Sequence, residues 1–181
     1  MSRIAIPGRD DAPAESQPIL DNVNRMLGFV PNHYRLMSIS PNALSGWAGL
    51  MGPVSKTLDL KTREGIALAV SEANGCDYCL AAHSYVSTNL AKIPPEEIAL
   101  NRQGCSSDPK RKAAVAFAKA LIETRGKVSD AQFEAVRDAG WTDANIVEII
   151  ALTAQFLLTN FINNAVRTPI DFPAVSPAKT D

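Results

Sequence analysis

The chain has 181 residues, enough to bury a sizeable core, and reads as one main domain. With 46% apolar and 20% charged residues and a net charge of −1, its composition is that of an ordinary soluble globular protein, with no overall pull toward nucleic acid or an anionic membrane. Three cysteines, two of them in one C-x-x-C, do not make the even disulfide framework of a small secreted protein, and MSRIAIPGRDDAP lacks an apolar signal core, so a reducing cytoplasm is expected.

Residues 1–18, with Pro7, Pro13 and Pro18, read as an extended N-terminal arm, more commonly a loose terminus than a wrap around a partner subunit. A helical domain over 19–168 and an irregular tail over 169–181 follow. Ile19 to Leu27 suits a short amphipathic helix ending at Gly28, and Pro31 opens another, Asn32 to Ile39, carrying His33 and Tyr34. A lone His33 reads as a surface or capping histidine. Pro41 starts a helix to about Leu58, bent near Gly52-Pro53, with Leu44, Trp47, Leu50, Met51 and Val54 at helical spacing. These are core positions first, with Trp47 or Met51 as candidate walls of an apolar pocket.

Glu64 to His83 gathers most of the reactive side chains. Asn74-Gly75 is a helix-stop signal, so Lys61 to Asn74 reads as one helix, and a second begins near Asp77, the expected cap, and runs to about Leu90. Cys76 then sits at the rim and Cys79 in the first turn, facing the positive end of the helix dipole. His83, four residues on, shares that face and can approach hydrogen-bond distance of Cys79. The thiolate is the reactive form, and an ordinary thiol has a pKa of about 8.5. Lowering it by two units takes about 2.7 kcal/mol, within reach of a dipole and an imidazolium together. Cys76 and Cys79, three apart at a helix start, have Cα atoms near the ~5.5 Å that a disulfide prefers. A structural zinc usually takes four ligands, and the remaining Cys105 and His33 have no motif spacing, so no metal is expected. The acid is ambiguous: in a plain hairpin Glu72 lies level with Cys79, whereas Glu64 reaches His83 only if the helices cross obliquely.

Beyond the motif, Ile93-Pro94-Pro95 stops one helix and starts another near Glu96 to Asn101. The loop GCSSDP holds Cys105, a bystander without a partner at motif spacing, and Asp108 is a candidate cap for Lys110 to Arg125. Ser129 with Gln132 is a capping-box signature for Ala131 to Ala139, and Thr142 caps a final helix, Asp143 to about Arg167. Apolar residues cover nearly its whole circumference, which predicts a central, buried helix; its most apolar run, Ile146 to Leu158, is too short to span a bilayer. Gln155, Thr159, Asn160, Asn163 and Asn164 then need hydrogen-bond partners, in helix or subunit packing or behind the cysteines. No strand pattern or repeat appears, and seven to nine helices are expected.

Glu64, eleven intervening residues, then C-x-x-C-x-x-x-H on Cys76, Cys79 and His83 together resemble the AhpD alkylhydroperoxidase and carboxymuconolactone decarboxylase superfamily, more narrowly its peroxidase-related branch. The match directly covers about residues 60 to 90. The resemblance implies an all-α, AhpD-like domain with the C-x-x-C on a helix hairpin. It implies that Cys79 attacks a small hydroperoxide, that Cys76 resolves the product as a disulfide, and that His83 and Glu64 move protons. An external dithiol reductant resets the pair, no metal, flavin or haem cofactor is required, and the chain is a homo-oligomer: dimer, trimer or hexamer. Well-studied members carry a second histidine between the cysteines; here that place holds Tyr78, which implies a shortened or altered relay. The same residues also suit a thiol–disulfide oxidoreductase or redox sensor without peroxide turnover. Further rivals are a carboxymuconolactone decarboxylase-type acid–base enzyme, though such members generally lack the cysteine pair, and an assembly protein with a vestigial site.

Overall fold

Side chains that accept free N–H groups mark most of the helix starts. A computed structural model describes residues 1–175, and its described residues form nine α-helices, one short 3-10 helix and no strand. The helices are α1 (Gln17–Leu27), α2 (Asn32–Ser38), α3 (Pro41–Val54), α4 (Leu60–Ala73), α5 (Asp77–Asn89), α6 (Pro95–Arg102), α7 (Pro109–Glu123), α8 (Asp130–Asp138) and α9 (Asp143–Val166). Ser40, Asp59 and Asp108 each accept a backbone N–H of the first turn they precede. Ser129 with Gln132 and Thr142 with Asn145 form reciprocal capping boxes. α3 stops at Val54, short of Leu58, with Pro53 in its last turn and Ser55 as its C-cap.

The hub is α4. Residues 64–71 are all buried, and the helix packs against α5, α6, α7 and α9. Its Gly65 lets α6 and α7 approach closely, since a Cβ there would stand 2.8 Å from Asn101 Oδ1 and 2.9 Å from Val115 Cγ2. Ile66 and Val70 join Val115, Ile149 and Leu152 in the main core, each contributing about 1.5–3 kcal/mol by burial. A second core, around Leu20, Leu44 and Trp47, joins the N-terminal helices. A third, small cluster is Cys76, Tyr78 and Cys79, with Ala82 and Phe172 against it.

Three expectations change. The arm is not free: Arg3 N donates to Val166 O at 2.8 Å and its guanidinium to Ala165 O at 3.0 Å, filling carbonyls that the end of α9 leaves open, and a 3-10 turn at Ala14–Ser16 leads into α1. α9 is not buried all round. α3, α4, α5 and α7 cover one side of it, leaving Val147 65% and Phe161 58% exposed. It is also longer than its most apolar run and, by length and composition, is the one described helix that could cross a membrane; Thr159, Asn160 and Asn163 instead bond inside the fold. The expected tail begins at Pro169, but Asp171 and Phe172 are held against the cysteines; 176–181 lie outside the described residues.

Candidate active site

The turn from α4 to α5 fixes the cysteines. Gly75, at φ 58°, donates to Glu72 O at 3.0 Å and Cys76 N donates to Ser71 O at 2.9 Å, the paired bonds of a Schellman stop. This closure leaves no spare residue between the helices. Cys76 itself therefore becomes the N-cap of α5, and the expected cap, Asp77, becomes its first helical residue. Cys79 lies in the first turn, only 2% exposed.

The two sulfurs are 2.8 Å apart as free thiols, with Cys76 donating to Cys79. That bond is the foremost cause lowering the Cys79 pKa to about 7; burial opposes it, and the charge of His83 and the amides of Asn163 and Asn160 add to it. The same bond, together with burial and the charge of Cys79, pushes the Cys76 thiol up. The pair thus places its first negative charge on Cys79.

Between the two candidate acids the helix crossing decides the geometry. Glu64 Oε2 stands 2.9 Å from His83 Nδ1, whereas Glu72 accepts from Arg102 Nε at 2.6 Å, a contact from α4 to α6 away from the cysteines. Burial alone would lower the His83 pKa, but the charge and hydrogen bond of Glu64, helped by Cys79, raise it. The hydrogen bond to Cys79 that the i, i+4 spacing allows is not made: Nδ1 is taken by Glu64, and His83 acts on the sulfur through its charge. Phe156 of α9 backs the imidazole edge-on, with ring centres 5.0 Å apart.

Other side chains at the site carried weak or no sequence signal. Asn163 of α9, one of the amides that needed a partner, donates through Nδ2 to Cys79 Sγ at 3.3 Å, and its Oδ1 lies 3.2 Å from His33 Nδ1. His33 is no surface residue. It is 4% exposed, and burial lowers its pKa to about 4 against the raising effect of Asn163. Tyr78 spends its hydroxyl away from the sulfurs: it accepts from His33 N at 2.9 Å and donates to Asp171 Oδ1 at 2.9 Å. Asp171 also takes the Asn32 N–H at 2.7 Å, so the C-terminal segment caps α2 while Phe172 packs its ring on Tyr78 and Tyr85. Cys105 is half-buried on its loop, apart from this group.

A cavity of about 120 Å³ is walled by His33, Trp47, Met51, Tyr78, His83 and Phe156. Both residues named as possible pocket walls are in it. No group of three or more His, Cys, Asp or Glu side chains among the described residues could hold a metal ion.

An acidic buried thiol, a second thiol in contact with it and a carboxylate–imidazole pair are thus carried on an all-helical frame. The carboxymuconolactone decarboxylase family model matches residues 41–120, and no curated protein matches significantly. Among solved structures, the chain is similar to a peroxidase-related protein with an AhpD core from Ralstonia eutropha JMP134. That likeness is 28% identity at a TM-score of 0.83, over 94% of this chain and 92% of that one. A peroxidase-related protein from Silicibacter sp. TM1040 shares 25% identity at 0.80, over 93% and 91%. A cysteine-to-alanine variant of the debrominase Bmp8 in complex with 2,3,4-tribromopyrrole shares 23% at 0.80, over 94% of both chains, a likeness of fold alone. The family model and the two peroxidase-related likenesses support the AhpD and carboxymuconolactone decarboxylase superfamily, and within it the peroxidase-related branch. That family suggests an enzyme of peroxidase-related or carboxymuconolactone decarboxylase type, and the debrominase shows that the fold is not restricted to peroxidase activity.

Proposed function

We propose that the chain is a thiol-dependent hydroperoxide reductase, and the observation that carries this is the acidic Cys79 in contact with Cys76 beside a His83 bonded to Glu64. The Cys79 thiolate attacks the terminal peroxide oxygen; the O–O bond breaks, and the departing alkoxide leaves as an alcohol with a proton from His83, whose pKa Glu64 raises. Cys79 is then a sulfenic acid. Cys76 sulfur displaces its hydroxyl, the Cys76 proton leaves with it as water, and a disulfide forms. An external dithiol returns the two electrons and two protons by exchange, and the chemistry uses no metal, flavin or haem. Such a cycle belongs in a reducing compartment, in keeping with the expected cytoplasm.

Burial of both sulfurs supports a small peroxide over a bulky protein disulfide as the oxidant, which weighs against thiol–disulfide exchange as the main activity. The retained cysteine pair weighs against a lactone decarboxylase and the paired, charged site against a vestigial one. AhpD-like proteins are often oligomeric, and the exposed α9 face with Ile150, Leu157 and Phe161 beside Leu121 and Ile122 of α7 suits a second copy of this chain. Mass spectrometry after stoichiometric peroxide tests the reaction. A Cys76–Cys79 bridge should form in the wild type and a sulfenic acid should be trapped on Cys79 in Cys76→Ser; unmodified Cys79 in both, with peroxide left unconsumed, would refute it.

A further inference from the structure

His33 takes no part in the chemistry above, yet its ring helps to wall the cavity, edge-on to Trp47 with centres 5.2 Å apart. Because the amide nitrogen of Asn163 faces Cys79, its oxygen faces His33, which must then donate from Nδ1. The lone pair is therefore on Nε2, which is buried and to which no described residue bonds. Burial keeps this ring neutral at neutral pH, so Nε2 remains an acceptor there. An unbonded buried acceptor costs free energy that a ligand donor can offset. Size adds a second constraint: an apolar cavity of about 150 Å³ holds benzene, and this one is about 120 Å³.

We propose that the cavity is a ligand subsite in which His33 Nε2 accepts a hydrogen bond from an N–H or O–H group of a small, single-ring molecule. Resting on the peroxide reading for the reaction, this makes the substrate class single-ring hydroperoxides that carry such a donor, in preference to hydrogen peroxide or long-chain lipid hydroperoxides.

Phenol and toluene, alike in ring and size but not in donor, are the probes, titrated into the reduced protein by calorimetry and by ¹⁵N NMR of labelled histidine. Phenol should bind about tenfold more tightly than toluene, the ratio one net hydrogen bond gives, and should move the His33 Nε2 resonance where toluene does not. His33→Phe should abolish the preference, and His33→Gln, which keeps an acceptor oxygen, should preserve more of it. Equal affinities, no binding of either probe, an unmoved His33 resonance or a preference surviving His33→Phe would each overturn the proposal. Should His33→Phe not fold, the wild-type resonances and His33→Gln decide. Binding needs no turnover: phenol held by His33 in a protein that leaves peroxide untouched would sink the reaction and spare the subsite, and the reverse result would sink the subsite alone.

Discussion

Replacing Glu64 with glutamine removes one charge and nothing of the side chain's shape, and its effect should reach Cys79 through His83. With Glu64 neutral, burial of His83 is no longer offset by that charge and its hydrogen bond, so the His83 pKa should fall and with it the positive charge beside Cys79. Residues four apart on a helix lie ~5–6 Å apart, where a unit charge at an effective dielectric of about 20 contributes about 3 kcal/mol, or up to two pKa units. From its value of about 7, the Cys79 pKa should rise by about one to two units. The thiolate share at pH 7 then falls from about half to about a tenth or less. The rate of iodoacetamide alkylation against pH, with the modified peptide identified by mass spectrometry, reads this directly, because Cys76 is pushed up and stays silent in the range. His83→Gln should give the same midpoint, and the double variant no higher one. A Glu64→Gln midpoint that stays near 7, in a protein with unchanged circular dichroism, would refute the coupling.

Asn163→Ala removes a hydrogen bond to the charged sulfur; at about 1.5 kcal/mol this should raise the alkylation midpoint by about one unit, and an unchanged midpoint would show that the amide does not hold the thiolate. Phe172→Ala should leave the midpoint alone but speed alkylation severalfold at saturating pH, since its ring covers the cysteine cluster without bonding to it; an unchanged plateau would mean that reagents enter another way. Glu97 of α6 is the acid-sensitive group to which the loop that holds Cys105 bonds. Burial would raise its pKa, but hydrogen bonds from Ser106, Ser107 and Asn101 hold it down at about 2. A depressed carboxylate stabilises fully above its unfolded value and loses that contribution as pH falls through the folded one. Glu97→Gln should therefore cost at most about 3 kcal/mol at pH 7 in urea titrations, with the gap to wild type closing between about pH 5 and pH 2. A gap independent of pH would assign the loss to packing instead.

What could be read from the chain was local. The starts of α7, α8 and α9 follow from Asp108, Ser129 and Thr142, because a cap acts within three residues of itself, and Asn74-Gly75 announces the stop before Cys76 for the same reason. The choice between Glu64 and Glu72 depends on how α4 crosses α5, which neighbouring residues do not encode. His33 and Asn163 are 130 positions apart, Tyr78 and Asp171 are 93 apart, and each pair meets only because α9 and the segment after it fold back over α2 and α5. Periodicity overstated the burial of α9, since an apolar residue is needed wherever any surface, including another subunit's, must be covered.

The tyrosine between the cysteines matters less for what it removes than for where it points. Anchored to His33 N and Asp171, Tyr78 cannot serve as a relay group between the sulfurs, yet it ties α2 to the site and so delivers another histidine from outside the motif. The two imidazoles are driven in opposite directions: the Glu64 carboxylate raises the His83 pKa against burial, whereas burial lowers that of His33 to about 4 and Asn163 offsets it only in part. Asn163 stands between the neutral ring and the sulfur. With the Nδ1 proton of His33 directed at its oxygen, the amide can turn only its N–H toward Cys79, the orientation that favours a thiolate over a thiol. One buried ring thus holds the amide that bonds Cys79 with its first nitrogen and leaves its second without a bond, which couples the acidity of Cys79 to the same side chain that would hold the proposed ligand.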